Sequence, residues 1–136
     1  MYMAAIIDWY SRYVISWELS NTMDNDFCIE LLNRCLKNGR PEIFNSDQGS
    51  QFTANNFVSI LLNSNIKISM DGKGRCLDNI MIERFWRSLK CENIYIMSYE
   101  TVPDLQAGVK KYVDFYNNER IHQSLNYETP AKLYLV

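Results

Sequence analysis

The chain has 136 residues, of which 47% are hydrophobic and 22% charged, and its formal net charge is −2. This composition excludes a disordered polypeptide and fits a single soluble domain with a buried core. No apolar run reaches the roughly 18 residues that a membrane-spanning helix needs, and the N-terminus lacks the basic segment of a secretory signal. We therefore expect a cytoplasmic protein without a membrane partner.

The cysteines follow neither a zinc-binding pattern nor a disulfide framework. No two of them are spaced as C-x-x-C, and the chain contains a single histidine. Because cytosolic cysteines usually stay reduced, we expect structural thiols. The residues concerned are Cys28, Cys35, Cys76 and Cys91.

Hydrophobic periodicity predicts strands and helices in the order β-β-α-β-α-β-α-α-α. Strands at 2–7 and 13–19, joined by a tight turn, predict an antiparallel hairpin. A helix over about 24–37 follows, with Asn21 or Thr22 as its cap. The order is typical of an α/β domain with a mixed sheet. The later elements are a strand at 41–47, a helix at 54–63, a strand at 66–70, a glycine-punctuated loop at 71–75, helices at 78–92 and 102–116, and a short helix opening at Thr129-Pro130.

Two carboxylates stand in positions that favour chemistry. Asp47 follows a predicted buried strand, and strand ends that face a crevice commonly carry functional groups in α/β folds. Glu83 lies on a predicted helix, where Glu83, Arg87 and Lys90 fall on one stripe. The periodicity leaves a second interpretation open, in which Asp47 caps a turn and Glu83 with Arg87 is a solvated surface pair.

Three segments resemble the motifs of one family. Asp47 and Glu83 are separated by 35 residues, and the segment 46–52 (SDQGSQF) resembles SDxGSQ(F/Y). The segment 74–92 resembles GxxxDNxxxExFxxxLKxE, and the tail from 116 to 130 resembles YNxxRxHxSL followed by TP. The chain is thereby identified as similar to the DDE integrase core of bacterial insertion-sequence transposases, a retroviral-integrase-like family.

The resemblance implies a ribonuclease-H-like fold, a mixed sheet flanked by helices. It implies DNA integration by phosphoryl transfer, with Asp47 and Glu83 as catalytic metal ligands for two Mg²⁺ or Mn²⁺ ions. The implied partner is DNA, both transposon ends and target, handled by a homo-oligomer without a small-molecule substrate. The basic or polar residues that match the family's DNA-contacting positions, or lie on the loop beside the site, are Arg84, Arg87, Lys90, Lys73, Arg75 and Asn79.

The family's first catalytic Asp lies on a strand that precedes the segment matching 2–8. We therefore expect a core domain over 1–136 that lacks this first strand, with unpaired neighbouring strands and either poor folding or a closed-up sheet. Asp8 matches a non-catalytic Asp of a hairpin motif, DxxSR, rather than the missing ligand.

Three functions remain open at this point. The first is a DDE transposase core, and the second is an inactive fragment that binds DNA or the parent transposase. The third, a ribonuclease-H-type nuclease, shares the fold but lacks the YNxxRxHxSL tail. Arg120 and His122 of that tail are expected to form a hydrogen-bonded structural pair.

Overall fold

The computed structural model describes residues 1–22, 24–46, 50–70 and 80–134. The strands and helices follow the predicted order, with two short helices added and with the other boundaries within a few residues of those expected. The strands are β1 (Tyr2–Ile7), β2 (Val14–Ser20), β3 (Ile43–Ser46) and β4 (Lys67–Met70). The helices are α1 (Asn25–Leu36), α2 (Ser50–Thr53), α3 (Asn55–Asn63), α4 (Ile80–Leu89), α5 (Tyr95–Met97), α6 (Val102–Asn118) and α7 (Pro130–Tyr134).

The ends of two helices carry side-chain caps. Asp24, rather than Asn21 or Thr22, caps α1, because its carboxylate accepts a hydrogen bond of 2.8 Å from the Phe27 amide. Thr101 caps α6 by accepting from the Asp104 amide. The helix α2 has no counterpart in the sequence prediction, since its four residues are too few to show a period.

Among the described residues, the strands pair as two separate two-stranded sheets. One contains β1 and β2, and the other contains β3 and β4, which run parallel with Ile43 opposite Lys67 and Ser46 opposite Met70. Within this part of the chain β1 and β3 are not neighbours in a sheet, so the strands have not closed up on one another.

The chain divides into two compact units. The first unit comprises Met1–Ile6 and Ile15–Ile80. Its core packs Ala4 of β1 and Ile66, the residue before β4, against the apolar faces of α1 and α3, as the helical spacing predicts. The buried members of this core are Ala4, Phe27, Cys28, Leu31, Leu32, Phe57, Leu61 and Ile66.

The second unit comprises Ile7–Val14 and Met81–Val136. Its core is built by α4 and α6, whose buried side chains include Phe85, Leu89, Val109 and Tyr116. Phe85 is fully buried and meets the Tyr116 ring edge to face at 5.0 Å between centroids. This packing holds one side of α4 in place and leaves the opposite side in solvent.

The helix that begins at Ile80 does not end where the periodicity predicts. After Leu89 it continues as a π-helical turn over Lys90–Ile94 and then as α5, so the helical run reaches Met97. A π turn contains one extra residue, so the side chains that follow it point to a different side of the helix axis. Such turns occur often at functional sites. It places Glu92 on the side of the helix that contacts α6.

Within the described ranges, no helix combines the length and the apolar character needed to cross a bilayer. Cys28 and Cys35 are buried on α1, whereas Cys91 is exposed, and Cys76 lies outside the described residues. Burial raises the pKa of the Cys35 thiol to about 11, so this thiol is inert.

Candidate functional site

The helix α4 presents a polar, charged face opposite its buried one. Glu83, Arg84 and Arg87 are exposed, and Lys90, at the start of the π turn, is exposed as well. The predicted stripe of Glu83, Arg87 and Lys90 is therefore realised on a solvent-facing surface. Because Phe85 anchors the other side, the orientation of this face is determined by packing rather than by the charged side chains themselves.

Glu83 is available for a ligand. It lies in the first turn of α4 and takes part in none of the ion pairs found among the described residues. A surface pair with Arg87 was the alternative left open by the sequence, and within the described chain no such ion pair forms. An exposed carboxylate without an ion-pair partner can donate hard oxygen ligands to a divalent cation.

The second predicted metal ligand, Asp47, lies outside the described residues, directly after the end of β3. Lys73, Arg75 and Asn79 lie outside them as well. In the part of the chain that is described, no cluster of three or more His, Cys, Asp or Glu side chains is assembled for a metal. The pairing of Asp47 with Glu83 remains a prediction from the sequence.

A cavity of about 650 Å³ in the second unit gathers the basic residues of three segments. Arg84 and Arg87 come from α4, Arg12 from the turn after β1, and Arg120 with His122 from the segment after α6. Burial, and next the positive charge of Arg84, lower the pKa of Arg12. The cavity is therefore a region of concentrated positive potential.

Arg120 is the one arginine of this cavity that pairs with a carboxylate among the described residues. Its Nε and Nη2 donate to the two carboxylate oxygens of Glu92 at 2.9 and 2.6 Å, in a two-pronged geometry. The Tyr112 hydroxyl donates to the same carboxylate at 2.7 Å. The hydrogen bonds from Arg120 lower the pKa of Glu92, so this carboxylate stays ionised and tied to α6 and the tail.

His122 is buried beside this ion pair, at 6% exposure, with its ring edge to face against Tyr116. Its Nδ1 lies 3.5 Å from Nη1 of Arg120. An arginine can only donate, so Nδ1 is the acceptor and the neutral ring carries its proton on Nε2. The expectation of a structural pair between Arg120 and His122 thus holds through a long hydrogen bond, with Glu92 as the stronger partner of Arg120.

The turn between β1 and β2 is organised by Asp8. One carboxylate oxygen of Asp8 accepts from the Ser11 amide at 2.9 Å and from the Ser11 hydroxyl at 2.6 Å. These bonds hold Arg12 in a left-handed conformation, with φ of 65°, which few residues other than glycine adopt. Asp8 is therefore a turn residue, in keeping with its match to the hairpin motif.

The tail motif reaches this turn through Asn117. The buried Asn117 amide accepts from the Val14 N–H at 2.8 Å and donates to the Val14 carbonyl at 3.0 Å. The two motifs DxxSR and YNxxRxHxSL, which are more than 100 residues apart, are thus parts of one arrangement.

We expect stability to fall as the pH decreases from 7 to 5. Burial, followed by the charges of Arg120 and Arg12, lowers the pKa of His122 to about 4, with Glu92 opposing them. The unfolded chain binds a proton at this histidine near its ordinary pKa of about 6.5, whereas the folded chain does not until about pH 4. Acid therefore favours the unfolded state across this window.

The free energy of unfolding, measured with urea at each pH, should decrease by about 1–2 kcal/mol between pH 7 and pH 5. Because the chain has one histidine, His122→Asn should flatten the curve over this range. A wild-type curve as flat as that of the variant would show that His122 does not carry the effect.

Comparison with known proteins identifies the class. Residues 1–76 match the model of one integrase core domain family (rve), and residues 64–130 match the model of a second integrase core domain (rve_3). The chain therefore belongs to the integrase core domain family.

Two transposases illustrate the relationship. The transposase for insertion sequence element IS904 of Lactococcus lactis is 32% identical over 96% of this chain and 53% of its own length. The transposase InsF for insertion sequence IS3A of Escherichia coli is 33% identical over 90% of this chain and 44% of its own length. The chain spans about half the length of the curated relatives it matches.

Solved structures show the same fold. The catalytic core domain of BIV integrase superposes with a TM-score of 0.78 over 98% of this chain and 84% of its own, at 18% identity. The HTLV-2 integrase catalytic core in complex with magnesium gives 0.74 over 94% and 80%, also at 18% identity. The expected ribonuclease-H-like class of fold is confirmed.

Arg12 is the residue of the basic cavity that sequence reasoning passed over. In the sequence, Arg12 is recognisable only as the arginine of the hairpin motif DxxSR. It is about 70 residues from Arg84, so no local pattern groups the two arginines. The positive φ that the motif imposes is the one local signal that marks the position as unusual.

Proposed function

We propose that residues 1–136 act as the catalytic core domain of a transposase, which joins transposon ends to target DNA by metal-dependent phosphoryl transfer. The observation that carries this proposal is Glu83, an exposed carboxylate in the first turn of α4 with no ion pair among the described residues. It stands beside two exposed arginines in a chain of the integrase core family.

Asp47 and Glu83 are the residues that would hold divalent ions. Carboxylate oxygens are the ligands that Mg²⁺ and Mn²⁺ prefer, so the donor set fits the cofactor. Two ions, when bound, would neutralise charge on the attacking and leaving oxygens of the phosphoryl transfer. The magnesium complex of a structural neighbour supports the choice of metal.

The basic face of α4 would hold the DNA. Arg84, Arg87 and Lys90 project into solvent next to Glu83, and each can donate to the oxygens of a backbone phosphate. Such contacts would orient a backbone phosphate for two successive attacks. Water would cleave the phosphodiester at the transposon end and free its 3′-hydroxyl, and this 3′-hydroxyl would then attack a phosphate of the target strand and displace the 3′-oxygen there. Lys73, Arg75 and Asn79 would add contacts from the segment before α4.

We also propose that the active form is a homo-oligomer, since joining two transposon ends at one target requires two sites held together. The dimeric form named for the HTLV-2 core and the intasome named for a simian T-cell lymphotropic virus integrase support this assembly.

The direct test is a plasmid assay with the purified chain. We expect the chain to convert supercoiled plasmid into nicked or joined products in the presence of Mn²⁺ or Mg²⁺, and to form no product in EDTA. Product that persists in EDTA would contradict metal-dependent transfer. The absence of product in both metals, from a folded chain that binds DNA, would contradict the proposal itself.

A further inference from the structure

The basic cavity of the second unit contains three arginines that form no ion pair with a described residue. Among the described residues, the ion pairs include neither Arg12 nor Arg84 nor Arg87. Glu92, the carboxylate that pairs with Arg120, already accepts from Arg120 and Tyr112. Three guanidinium groups therefore line one cavity without an ion pair in the part of the chain that the structure describes.

Two buried donors of residues that line this cavity find no acceptor among the described residues. The Nε of Arg12 and the Nε2 of His122 are each shielded from solvent and make no hydrogen bond within residues 1–22, 24–46, 50–70 and 80–134. Nε of arginine is always a donor, and Nε2 of His122 is one because Nδ1 faces the Arg120 guanidinium. A buried donor left unpaired is costly, which indicates that a ligand with acceptor oxygens completes the site.

We propose that this cavity, formed by Arg12, Arg84, Arg87 and His122, is a binding pocket for a phosphate group of the DNA backbone. The inference rests on the proposed function in one respect, namely that the chain handles DNA. It goes beyond that function by adding Arg12 of the hairpin motif and His122 of the tail motif to the two arginines of α4 in one phosphate site.

A phosphate fits this donor set better than a neutral ligand would. Its oxygens accept only, they carry negative charge, and guanidinium forks pair with them in a fixed geometry. Ser88 and Ser124 also line the cavity and can donate hydroxyl hydrogen bonds. The volume of about 650 Å³ exceeds that of one phosphate, which leaves room for the sugar attached to it.

The surrounding structure holds the donors in position before a ligand arrives. Asp8 and Ser11 hold the backbone at Arg12, and Asn117 ties Val14, two residues further on, to α6. His122 is held by Arg120 and by the Tyr116 ring. Such preorganisation lowers the entropy lost on binding.

The test compares charge-matched variants in DNA binding. Duplex DNA is titrated in EDTA by fluorescence anisotropy at several KCl concentrations, with Arg12→Gln against Lys111→Gln, an exposed lysine of α6 outside the cavity. We expect Arg12→Gln to weaken binding about tenfold and to reduce the salt slope by about one, since each phosphate contact releases about one counterion. Arg12→Lys should recover part of the affinity, and Lys111→Gln should match the wild type.

A second measurement uses the single histidine. The ¹⁵N resonances of the His122 ring are followed while DNA, or inorganic phosphate at constant ionic strength, is added. We expect the Nε2 resonance to shift with DNA in the wild type and Lys111→Gln, and not in Arg12→Gln. A shift with inorganic phosphate as well would show that the pocket accepts the free anion, whereas a shift with DNA alone would show that it requires the backbone diester.

Arg87→Gln, on the exposed face of α4, provides a second variant should the turn not tolerate Gln at Arg12. The proposal would be wrong if both variants bound DNA with the affinity and salt dependence of the wild type and the His122 resonance did not shift on addition of DNA. Because these measurements contain no divalent metal, they are independent of the plasmid assay. Loss of binding in Arg12→Gln would support the pocket even if the chain joins no DNA.

Discussion

Glu83→Gln is expected to lower the rate of metal-dependent DNA joining by roughly a thousandfold or more, with little change in stability. The amide keeps the size of the side chain and removes the negative charge that would hold a divalent ion, which costs several kcal/mol of transition-state stabilisation. Glu83 is exposed and forms no ion pair among the described residues, so its replacement should change the free energy of unfolding by less than about 0.5 kcal/mol.

The matched control is Glu100→Gln, which removes one negative charge from an exposed residue between α5 and α6. It should join DNA at the wild-type rate. Asp47→Asn should reproduce the loss seen with Glu83→Gln, because both carboxylates are assigned to the same ions. Activity of Glu83→Gln within a few fold of the wild type would remove Glu83 from the metal site.

Asn117→Ala should destabilise the protein by about 2–4 kcal/mol, measured by urea unfolding at pH 7. The substitution removes both hydrogen bonds to Val14 and leaves a buried backbone N–H and a buried carbonyl without partners. Each such orphaned group costs about 1–3 kcal/mol. Asn117→Asp should also destabilise, since it keeps an acceptor, loses the donor and adds a buried charge.

Asn118→Ala is the control for this measurement. Asn118 is exposed, and its amide donates to the Asp114 carbonyl within its own helix, α6. Its replacement should change the free energy of unfolding by less than about 0.5 kcal/mol. Equal effects at Asn117 and Asn118 would show that the contact with Val14 adds no stability.

The elements that sequence reasoning located well are those with a strong local period. Phe85 and Leu89 on one side of α4, and Glu83 and Arg87 on the other, lie as the helical spacing predicts. The order of strands and helices follows for the same reason. The predicted N-cap of α1 was wrong by two or three residues. Asn21, Thr22 and Asp24 are all residue types that cap helices well, and only the backbone conformation in the folded chain determines which of them does so.

The π turn at Lys90–Ile94 could not be predicted from its residues, which continue a helical pattern without a break. The turn is accompanied by hydrogen bonds of Glu92 with Tyr112 and Arg120, which lie 20 and 28 residues further along the chain. A local pattern carries no information about such contacts, since they depend on how α6 and the tail pack against the helix.

By itself, the sequence determined the family, the order of the elements, and the two carboxylates and basic face on which the proposed chemistry depends. These follow from residue type, spacing and short-range periodicity. Only the tertiary structure decided that Arg12 meets Arg84 and His122 in one cavity, and that Asn117 ties the tail to the turn. The physical reason is that both contacts join residues far apart in the chain, and burial of apolar faces such as that of Phe85 determines which distant segments meet.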